Sequence, residues 1–152
     1  MTDLIVTPAL NPEPNKLRDA YEVVQDLATK TGKTTIRVPK FFQYDGASIP
    51  GLFQPLIGTP FTPRFMRASV FHDWIYHTHQ ISRDAADNLF HDLLIDDGVD
   101  APKAWAMWNA VSIGGGNYWT NDPDDKKYIA GLTQRIVADK RNPKDYGLPP
   151  LP

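Results

Sequence analysis

A chain of 152 residues with 41% hydrophobic and 22% charged content has the size and balance of a single ordinary globular domain. Its net charge of −2 provides no basic excess for phosphate, so nucleic acid is not an expected partner. The absence of cysteine excludes a disulfide framework and a thiolate zinc site, and no apolar run approaches the roughly 18 residues of a membrane span.

Met1 to Leu10 has neither a basic opening nor a long apolar core, so no secretion signal is expected. Leu4-Ile5-Val6 reads as a short strand that ends at Pro8. Tyr21 to Leu27 reads as a further strand, with helix over Leu17 to Ala28 as the alternative. The preference for strand comes from Thr29 to Lys33, which has the composition of a hairpin turn, and from the β-branched run Thr34 to Val38 beyond it.

Pro39 to Pro63 carries five prolines and three glycines, yet also Phe41, Phe42, Ile49, Leu52, Phe53, Leu56 and Ile57. That apolar content argues for an ordered loop laid across the rest of the domain. Within it Asp45-Gly46 is a turn signal, and Asp45 and Ser48 are each either local caps or site residues.

Pro63 suits the opening of a helix over about Arg64 to His77, with Phe65, Ala68, Phe71 and Ile75 as the buried stripe. Ser82 caps a second helix that runs to about Ile95 and ends at Gly98. Asp100 and Pro102 open a third, apolar through Ala104, Trp105, Met107, Trp108 and Val111, which Gly114-Gly115-Gly116 should stop. Asp122-Pro123 opens a fourth to about Lys140, with Ile129, Leu132, Ile136 and Val137 turned inward. Asn142 to Pro152 reads as a proline-rich tail. The expectation is an α+β domain spanning 1–152: a β-rich part (1–40), a loop (41–63), a helical part (64–140) and the tail (141–152).

The chemistry-bearing residues sit on the first two helices. His72 and Tyr76 are four apart and share a helical face, with Asp73 about 100° round from His72. A short turn makes the second helix an antiparallel neighbour, from which Asp87 can reach the His72 ring. A histidine fixed in one tautomer by a carboxylate can take a proton from water near neutral pH. Asp87 lies among Ala85, Ala86, Leu89 and Phe90, so a partner is required for it. Arg67 and Arg83 are the structural alternatives to His72. His77, His79 and His91 match no standard zinc spacing. Trp74, Trp105, Trp108 and Trp119 read as core or groove walls, with Trp74, beside the His-Asp pair, a further site candidate.

His72-Asp73-x-x-Tyr76 followed by Asp87-x-x-Phe90 resembles the catalytic helix pair of phospholipase A2, in its small bacterial and parvovirus-capsid forms. Gly58-Thr59-Pro60-Phe61-Thr62-Pro63 is similar to the run before the His-Asp pair in the capsid enzymes, with one extra residue of spacing. The resemblance implies His72 as general base, Asp87 and Tyr76 as the groups that orient it, and Asp73 as a calcium ligand. It also implies a phospholipid or membrane surface as partner. Over about residues 36 to 115, Asp45-Gly46-Ala47-Ser48-Ile49-Pro50, His72-Asp73-Trp74-x-Tyr76 and Ala86-Asp87-x-x-Phe90 resemble a phage and prophage family of unknown function. That resemblance implies phage origin, a location in the virion or the host cytoplasm, and other phage proteins as partners. Two functions follow: a calcium-dependent esterase, or a non-catalytic virion or host-interaction protein in which the His/Asp/Tyr cluster is a structural polar staple.

Overall fold

The computed structural model describes residues 4–8, 21–44, 62–120 and 122–151. Among the described residues the architecture is α+β, a small antiparallel β part followed by four α-helices. The chain divides into two compact units, Met1–Asp45 with Asn121–Pro152, and Gly46–Thr120.

In the first unit, β1 (Val6–Pro8) pairs antiparallel with β2 (Tyr21–Val23), and β2 with β5 (Gln43–Tyr44). Pro8, which has no N–H to give, lies on the edge strand. A separate hairpin joins β3 (Leu27–Thr31) to β4 (Thr34–Val38), with Leu27 opposite Val38 and Thr31 opposite Thr34. Its turn is Gly32-Lys33 alone, and Gly32 takes φ +56°, which a tight hairpin requires. The expected strand Tyr21–Leu27 is therefore split, and Thr29–Thr31 is strand rather than turn. The break falls at Asp26. Its carboxylate accepts from the Lys40 N–H, the Arg141 guanidinium and the Tyr146 hydroxyl.

Alternation in β4 turns Ile36 and Val38 inward, where they join Val23, Leu27, Phe42 and Tyr44. Helix α4 (Pro123–Ala138), capped by the Asp122 side chain, adds Tyr128, Leu132 and Ile136 to this unit's core. These three recur every four residues on one stripe. Ile129 and Val137 each lie one residue, about 100°, further round, so Ile129 is half-buried and Val137 is exposed. The last residues are no loose tail. Asn142 caps a 3₁₀ turn over Pro143–Tyr146, and Tyr146 and Leu148 are buried.

The second unit holds α1 (Pro63–Thr78), α2 (Arg83–Asp96) and α3 (Ala101–Gly114). Pro63 stands at the start of α1, Ser82 accepts from the Ala85 N–H to cap α2, and Asp100 accepts from the Lys103 N–H to cap α3. Phe65, Ala68, Phe71 and Ile75 are buried as expected, and so is every residue from Arg67 to Tyr76. Arg67 is tolerated there because its guanidinium grips Asp97 through two nitrogens, at 2.7 to 3.1 Å. In α3 the inward stripe is Ala104, Met107 and Val111, which leaves Trp105 on the outer side, 59% exposed, rather than in the core. The glycine run does not stop the chain's winding, which continues as a 3₁₀ turn over Gly115–Tyr118. Among the described residues, no helix is long and apolar enough to cross a membrane.

Candidate functional site

His72 and Asp87 meet where α1 and α2 pack. The turn between the helices is closed by His79, whose left-handed conformation ends α1, and by the Ser82 cap that starts α2. Antiparallel packing then sets Asp87 across from the His72–Tyr76 face. His72 Nε2 lies 2.6 Å from Asp87 Oδ1, and the Tyr76 hydroxyl donates to the same oxygen at 2.8 Å. The three side chains are buried, with the His72 side chain at 0% exposure.

Aromatic rings hold the imidazole on two sides. The Tyr76 ring centroid lies 4.1 Å from that of His72, and Phe90 approaches at 5.0 Å. Trp119 meets Tyr76 edge-on and stacks almost parallel on His79 at 3.9 Å. Burial, then the hydrogen bond to Asp87, push the Tyr76 phenol well above its ordinary range, although Arg83 pulls the other way. Tyr76 therefore remains a donor to Asp87 across the working pH range. An ionised carboxylate only accepts, so the tautomer consistent with this geometry has Nε2–H donating to Asp87. The basic lone pair of His72 is then on Nδ1.

Of the other residues singled out from sequence, Asp73 is buried on α1 beside His72, and Trp74 is wholly buried in the core. Asp45 and Ser48 lie outside the described residues, as do the loop carbonyls of 46–58. Neither arginine replaces His72 as the partner of Asp87 Oδ1. Arg67 is committed to Asp97, and Arg83 donates to the Ser112 carbonyl at 3.4 Å. His91 sits beside Asp92 at the surface, and among the described residues no group of three or more side chains is placed to hold a metal ion.

Gly115 escaped the sequence reading as a site residue. A Cβ there would stand 2.6 Å from the Tyr76 hydroxyl oxygen, so only glycine lets the phenol reach Asp87 in this position. The run Gly114-Gly115-Gly116 offered the signal, but it reads equally well as a helix stop.

Comparison with known proteins places this arrangement in a family context. Residues 21–111 match the model of a family described as "Protein of unknown function (DUF1353)". Two relatives occur in Sinorhizobium fredii (strain NBRC 101917 / NGR234). The uncharacterized protein y4iH is 35% identical over 82 residues, covering 54% of this chain and 34% of the relative. The uncharacterized protein y4jT is 38% identical over 84 residues, covering 55% and 24%. The chain thus spans about a third and a quarter of the length of these relatives. No solved structure matches.

Proposed function

The chain belongs to the DUF1353 family, and from that premise we propose that it is a phospholipase A2-like ester hydrolase of phage origin in which His72 is the general base. The observation that carries this reading is the single Asp87 oxygen shared by His72 Nε2 and the Tyr76 hydroxyl. That pattern holds the imidazole in one tautomer and one orientation, which base catalysis needs. His72 Nδ1 takes a proton from water as the water oxygen attacks the ester carbonyl carbon. Asp87 stabilises the imidazolium so formed. When the tetrahedral intermediate collapses, the imidazolium returns the proton to the departing alkoxide, and acid and alcohol leave. The phage origin rests on the Asp45–Pro50, His72–Tyr76 and Ala86–Phe90 motifs.

A bound calcium ion would polarise the carbonyl and stabilise the oxyanion. Calcium takes about six to eight oxygen ligands, and among the described residues no group of three or more acidic or histidine side chains is gathered to supply them. Asp73 is the residue proposed to contribute one ligand, and no step above is routed through the ion.

One observation favours a second reading. A His72 side chain with no exposed surface suits a non-catalytic virion or host-interaction protein, with the cluster stapling α1 to α2. Fatty-acid release from phosphatidylcholine and phosphatidylglycerol vesicles, with calcium and with chelator, separates the two. Hydrolysis by the purified protein supports the esterase; none in either arm leaves the staple as the better account.

A further inference from the structure

Two surfaces of opposite charge stand on the two units. Residues 27–44 hold four lysines and arginines and no acidic residue, whereas residues 84–100 hold six aspartates and no lysine or arginine. In the β3–β4 hairpin the register sets Lys30 opposite Thr35 and Ala28 opposite Arg37, so these four share the face turned away from Leu27, Ile36 and Val38. Lys30, Thr35 and Arg37 are exposed, as is Lys33 in the turn. On α2, Asp84, Asn88, Asp92 and Asp96 recur every four residues, and all are exposed. Among the described residues, Lys30, Lys33, Arg37, Asp84 and Asp96 make no ion pair or side-chain hydrogen bond, and Asp92 has only His91, at 3.5 Å. Like charges one helical turn apart repel, so the row gains from a partner of opposite sign.

The helix row has an aromatic border. Trp108 on α3 donates its indole N–H to Asn88 at 3.0 Å, which fixes the register of these two helices across their short connection. One turn on along α2 is Asp92, and one turn back along α3 is Trp105, 59% exposed, so the register brings the acidic row and an open indole to one surface. Carboxylates beside an open indole suit lysine and arginine, since the oxygens pair with the charge and the ring face takes the cation. Spacing agrees. Outward side chains of a strand repeat every two residues, about 6.6 Å, and an i, i+4 helix row about every 6 Å. Arg37 and the Lys30–Thr35 pair are one such step apart, as Asp92 and Asp96 are. A nucleic acid or an anionic lipid surface would meet the hairpin and leave the helix row unpaired. A second copy of the chain satisfies both.

We propose that the chain associates head to tail, the cationic face of one hairpin docking on the α2–α3 surface of the next copy, with Arg37 and Lys30 paired to Asp92 and Asp96 and Trp105 against a guanidinium. Because the two surfaces differ, each copy keeps one of them free, and the assembly grows into a ring or a filament. The inference does not depend on the ester-hydrolysing reading of His72.

Analytical ultracentrifugation of the full chain over a concentration series tests it at about 0.01 M and about 1 M salt, where the screening length is about 30 Å and about 3 Å. Species larger than one copy are expected at low salt and lost at high salt. Lys30→Glu with Arg37→Glu, and separately Asp92→Lys with Asp96→Lys, should each weaken association about tenfold or more, a loss that reversing close charge pairs readily supplies. The chain carrying all of these changes keeps the net charge of −2 and should associate as wild type does. Circular dichroism establishes that the variants are folded, and Lys30→Gln with Arg37→Gln serves if reversal unfolds the hairpin. A monomer at every concentration at low salt, association that both charge reversals leave intact, or a fully swapped chain that stays monomeric would overturn the proposal. So would a wild type that remains monomeric while it captures duplex DNA or anionic vesicles through Lys30 and Arg37.

Discussion

His72 Nε2 and Asp87 Oδ1 stand 2.6 Å apart in the buried seam between α1 and α2, and the Tyr76 hydroxyl closes on the same oxygen at 2.8 Å. The reading of this cluster turns on that oxygen. It sets the tautomer of His72 and, together with burial, keeps Tyr76 protonated.

Removing one partner of a buried pair leaves the other without compensation. Asp87→Ala is expected to lower stability by about 3–5 kcal/mol, and Asp87→Asn by less, because the amide oxygen can still accept. In a double-mutant cycle, His72→Asn and Asp87→Asn should couple by about 1 kcal/mol or more. Additive losses in urea unfolding would show that the two side chains do not interact in solution.

Gly115→Ala drives a methyl group against the Tyr76 hydroxyl, where the gap is 2.6 Å. The change should destabilise by about 1–3 kcal/mol, the range for overpacking a filled site. In a Tyr76→Phe background the same substitution should be milder, since the clashing oxygen is gone. An equal loss in both backgrounds would remove the close approach as the cause.

The alkaline limb of stability has a defined sign. Burial is the first cause that raises the Tyr76 and Tyr146 phenols, and a hydrogen bond to an aspartate is the second. Each group therefore holds its proton in the folded state above pH about 10, where the unfolded chain has lost it. The unfolded state binds fewer protons there, so stability falls as pH rises from about 10. Of the six tyrosines, these two should ionise only as the protein unfolds. Absorbance titration at alkaline pH, followed in parallel with circular dichroism, checks it. Six phenols titrating freely before any loss of structure would contradict the burial of both.

Asp26 gathers the Lys40 N–H, the Arg141 guanidinium and the Tyr146 hydroxyl, and so fastens the C-terminal segment beside the β3–β4 hairpin. Asp26→Ala should cost about 1–3 kcal/mol, the range for stranding such donors. It should leave any hydrolysis unchanged, because the partners described for it, Lys40, Arg141 and Tyr146, all belong to its own unit. Hydrolysis falling with Asp26→Ala in a protein still folded would show that the activity does not arise from the His72 cluster alone.

Much of this was legible in the sequence because it depends on local rules. Ser82, Asp100 and Asp122 announced the helix starts, and the offsets of His72, Tyr76 and Asp87 on antiparallel helices required a shared face. What was not legible depends on partners far along the chain. Asp26 breaks a strand because residues 115 and 120 positions later bind it. Tyr146 and Leu148 look like the end of a proline-rich tail until the hairpin is there to bury them. Trp105 is apolar by type but outward by phase, and composition alone cannot separate the two. Gly115 carries its meaning only once the Tyr76 hydroxyl is placed against it.

The measurement closest to the central claim is the rate of fatty-acid release from phospholipid vesicles by His72→Asn relative to wild type, read beside the unfolding free energy of both. If His72 is the base, the variant remains folded and its rate falls by about 10²–10⁴-fold, the contribution of a positioned general base. A folded His72→Asn that hydrolyses as fast as wild type, or a wild type that releases no fatty acid with or without calcium, would contradict it.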